Sequence, residues 1–365
     1  MKSHLFSAVS TGAVTIALVC LSSAPAYAQD SPTHVILERY PEALKAQAQL
    51  YRKQLEAAAP QGPHAVPYYL IVPTIRRWAP GTTLRVAFKG GDTALHDRIR
   101  AAAQAWIDAG ANLRFSFKDA GGRYRTWSTG DTTLSAEIRI AFDTNSPWGA
   151  YWSMLGTDSI TAAAGAAPNQ PSLNLAGFAQ QLPRNWKATA MHEFGHALGF
   201  EHEHKSPEGG CDFRFDDDPG YIQTKDADGW FIEDAQHRRP GLYTYLGGYA
   251  NYWSSETVDF NLRAIKDTSA YLVGAFDKES IMKYFFEDLM FVKGKQSPCW
   301  TPSENLVLSS KDGEGVRTAY PSDAPAISSI NSEVTQVLKQ VEGSMAVPQS
   351  MRDLASKRLK GEVPL

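Results

Sequence analysis

The chain has 365 residues, 43% hydrophobic and 21% charged, with a formal net charge of −3. That is the composition of a globular protein, long enough for one large or two small domains with ample core. No basic block is present, which sets nucleic acid and anionic membrane aside as partners.

Residues 1–28 are not part of the fold. Lys2 gives a positive start, Ala13–Cys20 is a short apolar run, and Ala26-Tyr27-Ala28 forms a small-residue cleavage site. This predicts a signal peptide cut before Gln29, and hence a secreted or periplasmic protein. The apolar run is too short for a membrane anchor, and no later segment spans a bilayer.

Residues 29–80 read as an accessory stretch. Leu44, Ala48, Tyr51 and Leu55 predict an amphipathic helix over Pro41–Ala58, followed by Pro- and Gly-punctuated chain. Two readings stand, a removable propeptide or a structural N-terminal arm. No cysteine occurs between Gln29 and Gly210, so no prosegment thiolate can reach a metal.

From Thr83 the pattern alternates strand and helix. Thr83–Phe88 predicts a strand and Thr93–Ala109 a long helix with Leu95, Ile99, Ala102, Ala103 and Trp106 on one face. Asp92 stands in its N-cap region. Leu113–Phe117 and Ile138–Phe142 predict half-buried strands. Trp148–Trp152 reads as an aromatic loop, and Leu173-Asn174-Leu175 as a short strand before a second helix.

That second helix carries the chemistry. Met191–His204 reads MHEFGHALGFEHEH and contains His192, Glu193, His196, Gly199 and His202 in an H-E-x-x-H-x-x-G-x-x-H pattern. On a helix, His192 and His196 lie one turn apart on one face and can share a metal ion. Glu193 points about a quarter-turn away, which suits a general base acting on metal-held water. Gly199 lets the chain leave the helix in a left-handed conformation and double back with His202. Three imidazoles without a fourth protein ligand predict an open, catalytic zinc site. With 9 histidines in the chain, chance would produce this pattern in on the order of one in 50,000 such sequences. The bland reading, satisfied histidines on an ordinary helix, is therefore set aside. His204 is a rival third ligand whose offset misses the pattern.

Residues 205–277 form a long insertion. Asp216–Asp218, Asp226 and Asp228 lack the spacing of a calcium loop and read as solvated surface. Tyr243, Tyr245, Tyr249, Tyr252 and Trp253 read mainly as packing. Ser280–Tyr284 (SIMKY) follows, and then a helix capped at Ser310 and stopped by Pro321. Residues 322–365 form a C-terminal extension with an amphipathic piece at Ile330–Val341. Beyond the signal peptide two cysteines remain, Cys211 and Cys299. An even pair in an oxidising compartment predicts a disulfide, against the alternative of two unpaired thiols.

HEFGHALGFEH resembles the zinc signature of the metzincin metallopeptidases, and SIMKY resembles the Met-turn of their astacin-like branch. The departures are Lys283 in place of the usual His and a long separation from His202 to Met282. The resemblance implies an α+β fold: a twisted mixed sheet with two long helices above an irregular C-terminal subdomain that carries the Met-turn and a final helix. It places this domain at 81–321 and implies that the strand before the zinc helix is a sheet edge for the substrate backbone. It puts one Zn2+ on His192, His196 and His202, the general base at Glu193, Met282 beneath the metal and Tyr284 on the reacting oxyanion. The activity implied is zinc-dependent endopeptidase action on proteins or peptides. The competing readings are a catalytically retired metzincin serving as a binding module, and a zinc hydrolase of non-protein amides or esters.

Overall fold

The computed structural model describes residues 38–58, 72–266, 271–345 and 347–361. The expected signal peptide and most of the punctuated stretch at 59–71 lie outside the described residues. Helix α1 (Glu42–Ala58) leads to strand β1 (Val72–Pro73). A six-stranded sheet follows, built from β2 (Thr83–Phe88), β3 (Arg114–Ser116), β4 (Arg125–Thr126), β5 (Ile138–Ala141), β6 (Tyr151–Ser153) and β7 (Leu173–Leu175).

The strand order is β3-β2-β5-β7-β6, with β4 on the end of β2. The pairs β2–β3, β2–β5 and β5–β7 are parallel, and β6 alone runs antiparallel, against β7. This corrects two sequence expectations. Leu173–Leu175 is an interior strand rather than the sheet edge. The edge is Tyr151–Ser153, which overlaps the end of the stretch Trp148–Trp152 read as an aromatic loop. Nor is β5 half-buried: all four of its residues are inside, as expected of a parallel strand covered on both faces. Its Arg139 is fully buried, and its guanidinium donates to the carbonyls of Ala136, Ser159 and Gln170, each at 3.0 Å.

Helix α2 (Thr93–Asp108) begins where Asp92 accepts from the Leu95 amide at 2.8 Å, the N-cap bond expected there. Its apolar stripe, Leu95, Ile99, Ala102, Ala103 and Trp106, is buried. It packs beside α3 (Trp186–Ala197), and the Trp106 indole donates to the Met191 carbonyl at 2.8 Å. Together with the inner face of the sheet these helices form the main core.

The insertion has a core of its own. Phe213, Trp230, Tyr245, Phe286 and Phe291 gather with α4 (Leu242–Gly247) and α5 (Ser255–Leu262). Tyr249 and Tyr252 stay exposed, so the aromatic run divides between packing and surface. Strands β8 (Thr224–Lys225) and β9 (Phe231–Ile232) form a small hairpin, and β10 (Tyr271–Leu272) pairs with β1. Cys211 and Cys299 are joined in a disulfide across 88 residues. In the chain-entropy model, closing such a loop stabilises the fold by roughly 4.5 kcal/mol.

Helix α6 (Ser310–Ala319) is capped by Ser309, one residue earlier than expected, in a capping box with Asp312. Two further helices follow, α7 (Ala324–Gly343) and α8 (Gln349–Leu359), which pack on each other and on α1. No helix among the described residues is long and apolar enough to cross a membrane.

Candidate metal centre and active site

Helix α3 ends in a turn that aims its histidines. The Gly199 amide donates to the His196 carbonyl at 2.7 Å and the Phe200 amide to the Gly195 carbonyl at 3.0 Å. With Gly199 at φ +99° this is a Schellman stop. The reversal carries His202 back, so that its Nε2 stands 3.0 Å from the Nε2 of His196. His192, His196, His202 and Glu38 each contribute one ligand-type atom, all within 4.8 Å of one another.

The tautomers decide what this cluster is for. His192 Nδ1 donates to the Ile281 carbonyl at 2.7 Å, and His196 Nδ1 donates to the Phe200 carbonyl at 2.6 Å. With the protons fixed on Nδ1, both Nε2 atoms present lone pairs to the cluster centre. Burial, against the opposing charge of Glu38, pushes His202 down to about 3, whereas the Glu38 charge overcomes burial at His196 and pushes that imidazole up. In the neutral rings the Nε2 lone pairs and Glu38 Oε2 face one point, an arrangement that a cation satisfies. The donor set, three imidazole nitrogens within 4.8 Å of one another, fits zinc.

The floor of the cluster is the Met-turn. Met282 is fully buried beneath α3, where the absence of a side chain at Gly195 makes room for its sulfur. Asp312, the N-terminal carboxylate of α6, accepts from Ser280 Oγ at 2.6 Å and from the Ile281 amide at 2.8 Å. The Ile281 carbonyl in turn holds His192. The Glu203 amide donates to the Met282 carbonyl at 3.0 Å, tying the third-histidine segment to the same turn.

Glu193 is buried, and its Oε2 has no hydrogen-bond partner among the described residues. Burial, and then the charge of Glu38, push its carboxyl well above the usual carboxylate range. Tyr284 lies over the histidines, its ring centroid 4.3 Å from that of His202 and 5.7 Å from that of His192. Burial, then the carboxylates of Glu38 and Glu193, push its phenol up. A cavity of about 130 Å³ opens beside them, lined by Thr189, His192, Glu193, Tyr151 and Tyr284 among others. His204 is turned away: its Nε2 meets the Asn261 carbonyl at 3.0 Å, so it does not join the cluster.

Sequence reasoning missed two residues here. Glu38 brings Oε2 to 3.1 Å from His192 Nε2, 3.5 Å from His196 Nε2 and 3.3 Å from His202 Nε2. Burial would raise its carboxyl, but His202 and His196 overcome this and hold it well below the usual range. Asp312 is the other, and the Ser309–Asp312 capping-box pattern was its only trace.

No protein-family model matches the chain, and no curated protein sequence matches it. Solved structures do. One structure of myroilysin is 27% identical with a TM-score of 0.50, covering 69% of this chain and 99% of that one. A crystal structure of myroilysin is 24% identical with a TM-score of 0.41, covering 73% and 96%. High choriolytic enzyme 1, a hatching enzyme zinc-protease from the medaka fish Oryzias latipes, is 14% identical with a TM-score of 0.34, covering 72% and 98%. The first of these, with the histidine cluster, defines the class: in fold and site the chain is similar to the astacin-like metzincins, which are zinc metallopeptidases.

Proposed function

We propose that the protein is an exported zinc metalloendopeptidase that cleaves peptide bonds with water. The observation that carries this reading is the convergence of three imidazole Nε2 atoms on one point, with a buried Glu193 beside it whose Oε2 has no hydrogen-bond partner among the described residues. Zinc held by His192, His196 and His202 would polarise the scissile carbonyl and acidify the attacking water. Glu193 takes that water's proton and passes it to the leaving amine, a role its raised pKa supports. Tyr284 donates to the oxygen on which negative charge builds. The outer edge of β6, where the Arg39 amide now meets the Tyr151 carbonyl, would offer backbone groups to an extended substrate.

The test is casein digestion with and without a zinc chelator, run on the intact chain and on Glu38→Ala. Digestion should require metal. Glu193→Gln, built into the Glu38→Ala protein, should keep zinc and lose on the order of 10²–10⁴-fold in rate. A Glu193→Gln protein with more than a tenth of the parent activity would remove Glu193 as the base.

A further inference from the structure

We infer that the cavity beside the histidine cluster is a side-chain subsite for a long cationic residue, arginine or lysine, and that Glu304 is the group that selects it. The inference rests on the peptidase reading above and names the substrates that peptidase would favour.

The cavity has a direction. Asn185, Ala188, Thr189, His192 and Glu193 line it from α3, at the spacing of one helix face. It therefore starts beside Glu193, where the scissile bond would lie, and runs back toward the first turn of the helix. From Glu193 to Asn185 the helix covers about 12 Å at 1.5 Å per residue. Glu304 stands at that far end, its Oε2 accepting from Asn185 Nδ2 at 3.3 Å. Further lining comes from Ile281, Tyr284 and Phe285 of the Met-turn segment.

Glu304 is held in place. Asn185 is the N-cap residue of α3, yet its side chain makes no capping bond and goes to Glu304 instead. The next residue, Asn305, donates from Nδ2 to the carbonyls of Ser280 at 2.8 Å and Lys278 at 3.0 Å, which fastens the loop to the Met-turn. A carboxylate at the start of a helix is favoured in its charged form.

No cation answers that charge. Among the described residues Glu304 forms no ion pair with a lysine, arginine or histidine, and its one side-chain partner is neutral Asn185. Lys283 also lines the cavity, but its Nζ is engaged elsewhere. It donates to the Tyr284 carbonyl at 2.8 Å and lies 5.5 Å from the centroid of the Phe286 ring, in the core of the insertion.

The preference follows from chemistry. An apolar side chain filling the cavity would strip water from Glu304 without replacing it, and an aspartate or glutamate would meet like charge. A short side chain would not reach. Arginine and lysine combine an apolar stem for the helix face with a charge-assisted hydrogen bond at the tip. A fixed carboxylate at the end of a pocket is a known way for a peptidase to select a basic residue.

The experiment compares the intact chain and Glu38→Ala, each with and without Glu304→Arg. The substrates are casein, with its cleavage sites mapped by mass spectrometry, and peptides carrying Arg, Leu or Glu at one varied position. Cleavage should concentrate where Arg or Lys stands at one fixed position beside the scissile bond. There kcat/KM should exceed that of the Leu and Glu peptides at least about tenfold, because a hydrogen bond to a charged group is made or lost. Glu304→Arg should reverse the order and favour Glu, which a merely structural role would not do. If Glu304→Arg proves unfolded by circular dichroism, Glu304→Gln should reduce the basic preference about tenfold. A cleavage profile without basic preference would overturn the inference, as would a preference that survives the folded variant. Binding of the same peptides to Glu193→Gln, followed by fluorescence anisotropy, separates the two readings. If the Arg peptide binds more tightly there, and Glu304→Arg reverses this, while no form digests casein, the peptidase reading falls and the subsite stands. Equal binding of all three peptides would overturn the subsite.

Discussion

Gly195 gives the sharpest test of how the site is built. It lies in the interior of α3, between His192 and His196, and a glycine there should be a weakness. Replacing it with alanine in an unconstrained helix would stabilise by about 1 kcal/mol. In this fold a Cβ at position 195 would fall inside the contact radius of Met282 Sδ, 3.0 Å from Met282 Cε and 2.9 Å from Trp106 Cζ2. Both neighbours are fully buried, so neither can swing into solvent. Overpacking of this kind costs about 1–3 kcal/mol, which outweighs the propensity gain. Gly195→Ala should therefore lower stability by about 1 kcal/mol, or roughly 2–4 °C in melting temperature for a domain of this size. It should also weaken zinc retention against a chelator, because the displaced Met-turn carries the Ile281 carbonyl that orients His192. The assay is thermal unfolding of zinc-loaded protein, in the natural chain and in a Met282→Ala background. Removing Met282 relieves the closest contact, so the same substitution should cost less there, with a coupling of at least about 0.5 kcal/mol. A Gly195→Ala protein that melts higher than its parent, with Met282 present, would refute the placement of the Met-turn against α3.

Two further outcomes follow from the same geometry. Tyr284→Phe keeps the ring over His202 and removes the hydroxyl; kcat should fall about 10²–10³-fold with little change in KM and full metal content, and an unchanged kcat would remove Tyr284 from the reaction. Lys283 is buried, its Nζ donating to the Tyr284 carbonyl at 2.8 Å, and burial pulls it down to about 7. A folded pKa below the unfolded one penalises the charged form: the penalty is full below about pH 7 and shrinks as pH rises toward the ordinary lysine value. At about 1.36 kcal/mol per unit, the stability advantage of Lys283→Met over the parent should shrink by on the order of 2 kcal/mol between pH 7 and pH 9. Parallel stability curves for the two proteins across that range would contradict it.

How much was legible in the sequence depended on whether the signal was local. The zinc helix, its glycine exit and the Met-turn were readable because each is a short motif whose spacing is itself the geometry. Four of the sheet's six strands were readable too, but not their neighbours, and Arg125–Thr126 carried no expectation at all. Three residues, Leu173–Leu175, say nothing about whether a strand lies on both sides, and β6 hid among aromatics because Tyr151 and Trp152 suit a loop or an edge equally. Glu38 had no pattern at all. It meets His192 across 154 residues, and a glutamate in an amphipathic arm looks like any solvated charge. The shift of the last helix cap from Ser310 to Ser309 is a smaller case, since adjacent serines compete for one position and Asp312 decides between them.

The central claim is that His192, His196 and His202 hold a single metal ion. The direct measurement is the metal content of purified protein by mass spectrometry, in the parent, His202→Ala and His204→Ala. The account predicts about one zinc per chain in the parent, the same in His204→Ala, whose imidazole is turned to Asn261, and substantial loss in His202→Ala, which gives up one of three imidazole ligands. Full zinc in His202→Ala, or loss confined to His204→Ala, would contradict it.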